Sequence, residues 1–248
     1  MTKALTALWI VAGALGHVAA NAQQGGVPGA GTTPDFSGVY TVGLFGIGAL
    51  GPTAIEEPDP YPFTLQGERA HNAYDPLVSD IRQTDDCAQD PMPEILWSGN
   101  PIEIIQEDDS IAIRYEDVDT VRSIAMNGPP PPADQPRTPL GYSVGRWEGE
   151  ALTVQTTHTT ASMIFSNRGR PISPGARITE RYYRQPGNHL RLEIEIDDPV
   201  NYTEVFTITR MMMWAPDEQV RPWECFSLGP RDSEPQDIDD IARMLEAL

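Results

Sequence analysis

The stretch Gly141–Thr157, GYSVGRWEGEALTVQTT, decides how the chain is read. It has the pattern of two short strands around a tight turn. Tyr142 and Val144 fall on one face of the first strand, Ser143 and Trp147 on the other. Leu152, Val154 and Thr156 share one face of the second. Trp147-Glu148-Gly149-Glu150 supplies the turn, with Gly149 free to take a positive φ. A lone hairpin is marginal in water, so these strands need partners on both sides.

The flanking sequence offers them. Upstream, Ile102–Gln106, Ile111–Tyr115 and Thr120–Met126 read as strands, the third placing Arg122, Ile124 and Met126 on one face. Downstream, Ile178–Arg184 alternates through Ile178, Glu180 and Tyr182. His189–Ile196 sets Leu190, Leu192, Ile194 and Ile196 on one side. Glu204–Met213 sets Phe206, Ile208, Arg210 and Met212 opposite Val205, Thr207, Thr209 and Met211. Phe36–Val42 and Glu218–Phe226 are further candidates. Asn127-Gly128 and the prolines after it form a longer connection that leaves the sheet and returns.

Eight to ten strands at this spacing, with no βαβ rhythm, predict an all-β fold. An antiparallel up-and-down, lipocalin-like β-barrel is the first expectation, because closure removes sheet edges. A two-sheet sandwich is the second. A short helix is expected at Thr64–Tyr74, capped by Thr64 and stopped at Asp75-Pro76. A C-terminal helix is expected within 229–248, where Ile238, Ile241 and Leu245 recur at helical spacing. The barrel domain itself is placed at 35–228.

The first 22 residues read as a secretory signal: Lys3, an apolar core over Ala4–Leu15, and Ala20-Asn21-Ala22 before the cut. Residues 23–34 read as a flexible Gly/Pro/Thr-rich leader. A periplasmic or secreted location follows as an expectation, with no membrane insertion once the signal is removed. The processed chain would hold 226 residues, enough for one sizeable core. Lys3 is the sole lysine, so 16 arginines face 36 acidic residues and the formal charge is −20. Such a field repels nucleic acid and anionic membranes and speaks against both as partners. Cys87 and Cys225 form an even pair, read in an exported chain as one disulfide.

Several pieces resemble a family of uncharacterised exported bacterial proteins: LQGERAHNAYDP (65–76), Cys87 with Pro91–Pro93, IEIIQEDDSIAIRYEDVDTVRSIAMNG (102–128), LGYSVGRWEGEALTVQTT (140–157), RITERYYR (177–184) and LEIEIDDPVNYTE (192–204). The GRWEG, TER and DDP elements are the most distinctive. The family pattern has Gly-His-Pro-His-Ser where this chain has Gly169-Arg170-Pro171-Ile172-Ser173, so a role for those histidines does not carry over. The resemblance implies export and supports the fold, and it brings no assigned activity.

Chemistry-bearing residues are few. His71, His158 and His189 remain after processing, with no HxH or HExxH spacing, so no metal site and no cofactor is expected. His158 follows the central strand in a hydroxyl-rich run. It reads either as a general base or as a hydrogen-bonded strand-end residue. Arg122, Arg177, Arg181, Glu180 and Glu195 lie on or beside strands. In a closed barrel some must face inward, as a structural ion pair or to orient a polar ligand. Tyr115 and Glu116 sit at a strand end. Ser143 has the letters of GxSxG but lies inside a hairpin strand, where that motif has no meaning.

Two functions follow as expectations. The first is an exported barrel that takes a small, largely apolar molecule in an internal or mouth-level cavity, with Arg122, Arg177, Trp147 and Glu116 as ligand contacts. The second is a cofactor-free lyase, isomerase or hydratase whose acid–base set is His158, Glu180 and Tyr115.

Overall fold

The computed structural model describes residues 33–41, 55–76 and 87–225. The signal, most of the leader and the C-terminal helix expected at 229–248 lie outside the described residues. The strands of the wall are β1 (Gly38–Thr41), β2 (Ile102–Gln106), β3 (Ser110–Tyr115), β4 (Val121–Met126), β5 (Tyr142–Glu148) and β6 (Ala151–Thr157). After β7 (Ser162–Met163) and β8 (Pro171–Ile172), which pair only with each other, come β9 (Arg177–Gln185), β10 (His189–Asp197) and β11 (Phe206–Trp214). The wall closes in the order β1-β11-β10-β9-β6-β5-β4-β3-β2. A closed nine-strand barrel therefore replaces the two-sheet alternative.

The barrel is mixed rather than wholly antiparallel. β4 and β5 run parallel, through Ala125↔Val144 and Met126↔Gly145. The cause is the proline-rich connection over 127–141. It carries the chain back along the barrel, so β5 starts at the same end as β4. A two-residue turn would have forced an antiparallel pair. Asn127 begins the reversal with φ 53°, and its N–H reaches Gly145 O at 2.7 Å.

Period-two patterning is borne out along the wall. β10 buries Leu190, Leu192, Ile194 and Ile196, and β4 buries Arg122, Ile124 and Met126. The interior is filled by these rows together with Ile104, Ile113, Val154 and Ile178.

The two barrel ends differ. One carries tight turns after β2, β5 and β9; Gly149 (φ 65°) and Gly187 (φ 76°) serve two of them. The other gathers the long connections, including β7–β8 and the helix α1 (Leu65–Ala73). Thr64 caps α1 as expected, its Oγ1 accepting from Gly67 N at 3.0 Å. The helix docks by its backbone: a Cβ on Gly67 would lie 2.1 Å from Asn201 O. Asp198, of the DDP element, holds the same corner by accepting from Ser173 Oγ, Ser173 N and Asn201 Nδ2.

No strand forms over the described part of Glu218–Phe226. Arg221 N and Trp223 N donate instead to Glu116 Oε2 and Asp119 Oδ1, and Pro222 between them has no N–H for a ladder. This strap ends at Cys225, which is bonded to Cys87 across 138 residues of sequence. Replacing both cysteines by serine is expected to lower unfolding stability by about 4–5 kcal/mol, since so long a loop gains much freedom when opened. Denaturant midpoints with unchanged far-ultraviolet dichroism check this, and an unmoved midpoint would refute it.

Candidate functional site

Inside the wall, β4 and β9 bring Arg122 and Glu180 face to face. Arg122 Nη1 donates to Glu180 Oε2 at 2.8 Å and Nη2 to Oε1 at 2.6 Å, and both side chains are fully buried. The remaining groups are also satisfied. Arg122 Nε and Nη2 reach Ser143 Oγ, Nη2 reaches Thr156 Oγ1 at 2.7 Å, and the Tyr182 hydroxyl donates to Glu180 Oε2 at 2.7 Å. Burial opposes the charge on Arg122, but the Glu180 carboxylate and its hydrogen bonds outweigh this and raise the guanidinium above its ordinary range. Tyr115 belongs to the same cluster, its hydroxyl pushed up to about 12 chiefly by burial.

A second buried arginine lies on the inward row of β11. Arg210 donates to the carbonyls of Leu96 and Ser98, at the end of the 3-10 turn Glu94–Trp97. Burial without a directly bonded carboxylate holds its pKa down to about 10. Ser98 Oγ in turn donates to Asp117, which also accepts from Asn100 Nδ2 at 2.6 Å. The core is thus linked, bond by bond, to the mouth.

Two cavities open there. One, of about 350 Å3, is lined by Ile55, Trp97, Ile164 and Phe165 together with Asp90, Glu94 and Asp117. Trp97 and Phe165 pack ring to ring at 4.7 Å. The other, of about 290 Å3, is more apolar, with Tyr74, Pro91, Pro139, Ala161 and Met163 in its wall. Glu94 and Ser166 belong to both, and Ser166 N donates to Glu94 Oε1 at 3.1 Å between them. Volumes near 300 Å3 are at the low end of small-molecule sites. Arg170 stacks over Tyr61 at 4.2 Å beside Glu57, and His71 stacks on Phe63 and contacts Gly169 O through Nδ1.

The residues singled out from sequence separate into groups. Glu180, Tyr115 and Arg122 meet in the interior. His158 does not join them. It lies past the end of β6 on the outside of the wall, beside the outward-facing Gln155 and Arg177, with Nδ1 3.0 Å from Thr157 Oγ1. The set His158, Glu180 and Tyr115 is therefore not assembled. Arg177 faces outward and pairs with Asp197 at 3.6 Å. Arg181 and Glu195 form an outer pair at 3.7 Å. Trp147 packs on Phe36 at 5.3 Å. Glu116 holds the Arg221 strap.

Sequence reasoning assigns no site role to Trp97, Phe165, Glu94, Asp117 or Arg210. Arg210 alone had a signal, as the one charged member of an apolar row. Among the described residues no three His, Cys, Asp or Glu side chains converge as metal ligands. No family model matches the chain, and no curated protein matches it.

Glu180→Ala is expected to destabilise by about 3–5 kcal/mol, because Arg122 stays buried without its partner. The double change Arg122→Met with Glu180→Leu should recover most of that loss, as chemical denaturation would show. Alkaline pH is expected to unfold the protein through its tyrosines. Tyr40, Tyr61, Tyr115, Tyr182 and Tyr202 are all raised above 10.0, mainly by burial. Above pH 10 the unfolded chain releases phenolic protons that the native chain keeps, so stability falls as pH rises toward about 12. Tyr183, less buried, is shifted the same way, and Arg210 acts with the opposite sign, one group against six. Tyrosinate absorbance should rise together with loss of near-ultraviolet dichroism.

Proposed function

We propose that the protein is an exported, periplasmic or secreted, β-barrel that binds a small amphipathic molecule at its mouth. The observation that carries the reading is the pair of adjoining cavities around Glu94 and Ser166, beside an interior already filled by side chains. The Trp97–Phe165 pair offers an apolar face, and Tyr74, Pro91 and Met163 extend it. Asp90, Glu94 and Asp117 outnumber the one cation of that lining, Arg168, which pairs with Glu57, and so disfavour an anionic ligand there. In this reading Arg122 and Glu180 hold the wall and leave the ligand to the mouth. The signal pattern supports export, as does a disulfide, which persists in oxidising compartments. The GRWEG, TER and DDP elements that resemble the exported bacterial family fall on the end of β5 and its turn, on β9, and on the end of β10 and the residues after it.

Native mass spectrometry of protein purified from its own host is expected to show a bound small molecule. Met163→Trp, which fills the apolar cavity, should remove it. Arg122→Met with Glu180→Leu, which alters only the interior, should retain it. A molecule that survives Met163→Trp but is lost in the interior variant would place binding inside the wall and overturn the proposal.

A further inference from the structure

A third depression, of about 350 Å3, lies on the outside of the wall at the base of the connection between β6 and β9. Its ionisable residues are Arg137, His158 and Arg177; Gln155, Thr157 and Pro174 also line it. Among the described residues no carboxylate does. This is notable in a chain whose formal net charge is −19.

The two arginines keep their charge available. Arg137 is fixed by Nη1 alone, which donates to the carbonyls of Thr159 and Pro174. Carbonyls hold a guanidinium in place without cancelling its charge, and its other two nitrogens remain to donate. Arg177 has Asp197 as its partner, but at 3.6 Å with the two side chains 55% and 40% exposed. A pair so long and so wet is readily exchanged for a better one. His158, in the same lining, has a left-handed backbone conformation, φ 58°, unusual for a residue with a side chain. Its carbonyl accepts from Thr138 N at 3.0 Å, and its Nδ1 contacts Thr157 Oγ1, which leaves Nε2 for another partner.

We infer that this depression binds a small organic anion, its carboxylate or phosphate group taken by Arg137 and Arg177 and its body resting on the proline-lined wall. The acidic surface does not forbid this. Fields of exposed charges fade over about 8 Å at physiological ionic strength, so a small anion responds to the local cations while a polyanion meets the whole surface. The inference is independent of ligand binding at the mouth, whose lining is acidic.

Phenyl phosphate and benzoate, titrated into the processed protein at low salt and followed by amide resonances, test it. Shifts are expected at His158, Gly175 and Ala176 for at least one of the two. The tighter of the pair identifies the preferred group, and equal binding assigns the shared oxyanion. Arg177→Gln, at an exposed position that should not disturb folding, is expected to weaken binding about tenfold. Arg146→Gln, at a separate outward pair with Glu148, should leave it unchanged. The inference fails if neither anion shifts these residues, or if Arg177→Gln binds as well as the parent protein.

Discussion

A guanidinium enclosed by a closed wall must find its hydrogen-bond partners inside that wall. Arg122 satisfies this condition through Glu180, and the solution shapes the barrel around it. Its partners come from β5, β6 and β9, namely Ser143, Thr156 and Glu180. The neighbouring β4–β5 seam is short, with two register pairs in parallel, as few as β1 and β11 share. The side-chain bonds from Arg122 to Ser143 cross that seam and tie β4 to its neighbour where the backbone ladder is short. Gly145 allows the same close approach, since a Cβ there would lie 2.6 Å from Met126 Sδ. A fully satisfied polar cluster is compatible with a dry core, whereas a half-satisfied one is not.

Filling the interior in this way moves any open space to the ends. One end is closed by tight turns, so the long connections at the other decide what the surface can do. Arg210 joins that end to the core through the carbonyls of Leu96 and Ser98. Asp117 takes up the Ser98 hydroxyl, and its neighbours Glu116 and Asp119 hold the strap that ends at Cys225. The disulfide returns the chain to Cys87, three residues before Asp90 in the wall of the mouth cavity. The mouth is therefore a ring of chain anchored both in the core and by a covalent bond.

Much of the wall was legible in the sequence because burial on one face imposes a period of two. The row Leu190, Leu192, Ile194 and Ile196 left little choice of facing, and Arg122 and Glu180 each sat among inward residues of their strands. The parallel β4–β5 pair was not legible. Nothing local in a proline-rich connection says that it runs the length of the barrel. The mouth was equally hidden, because Trp97 and Phe165 lie in irregular segments 68 residues apart and meet only through tertiary packing. His158 was placed correctly at a strand end, but its side of the wall depended on a left-handed φ that periodicity does not encode. The strand candidate at Glu218–Phe226 had no free sheet edge to join, since β11 already pairs with β10 and β1.

The connection between β6 and β9 has two surfaces with different chemistry. Its middle, from Ser162 to Arg168, lines the mouth with Met163, Ile164 and Phe165. Its two ends, His158 and Pro174 to Arg177, line the basic depression outside. The small β7–β8 pair holds these portions apart, and Tyr202 and Asp198 fasten it to the barrel through Pro171 O and Ser173. One insertion thus carries an acidic-rimmed apolar cavity and a cationic one while the wall beneath stays fixed. Binding surfaces placed on loops over a rigid sheet can change residue by residue without disturbing the core. The barrel beneath is tied by its buried ion pair, and the residues that line these cavities lie on a segment that the sheet supports but does not determine.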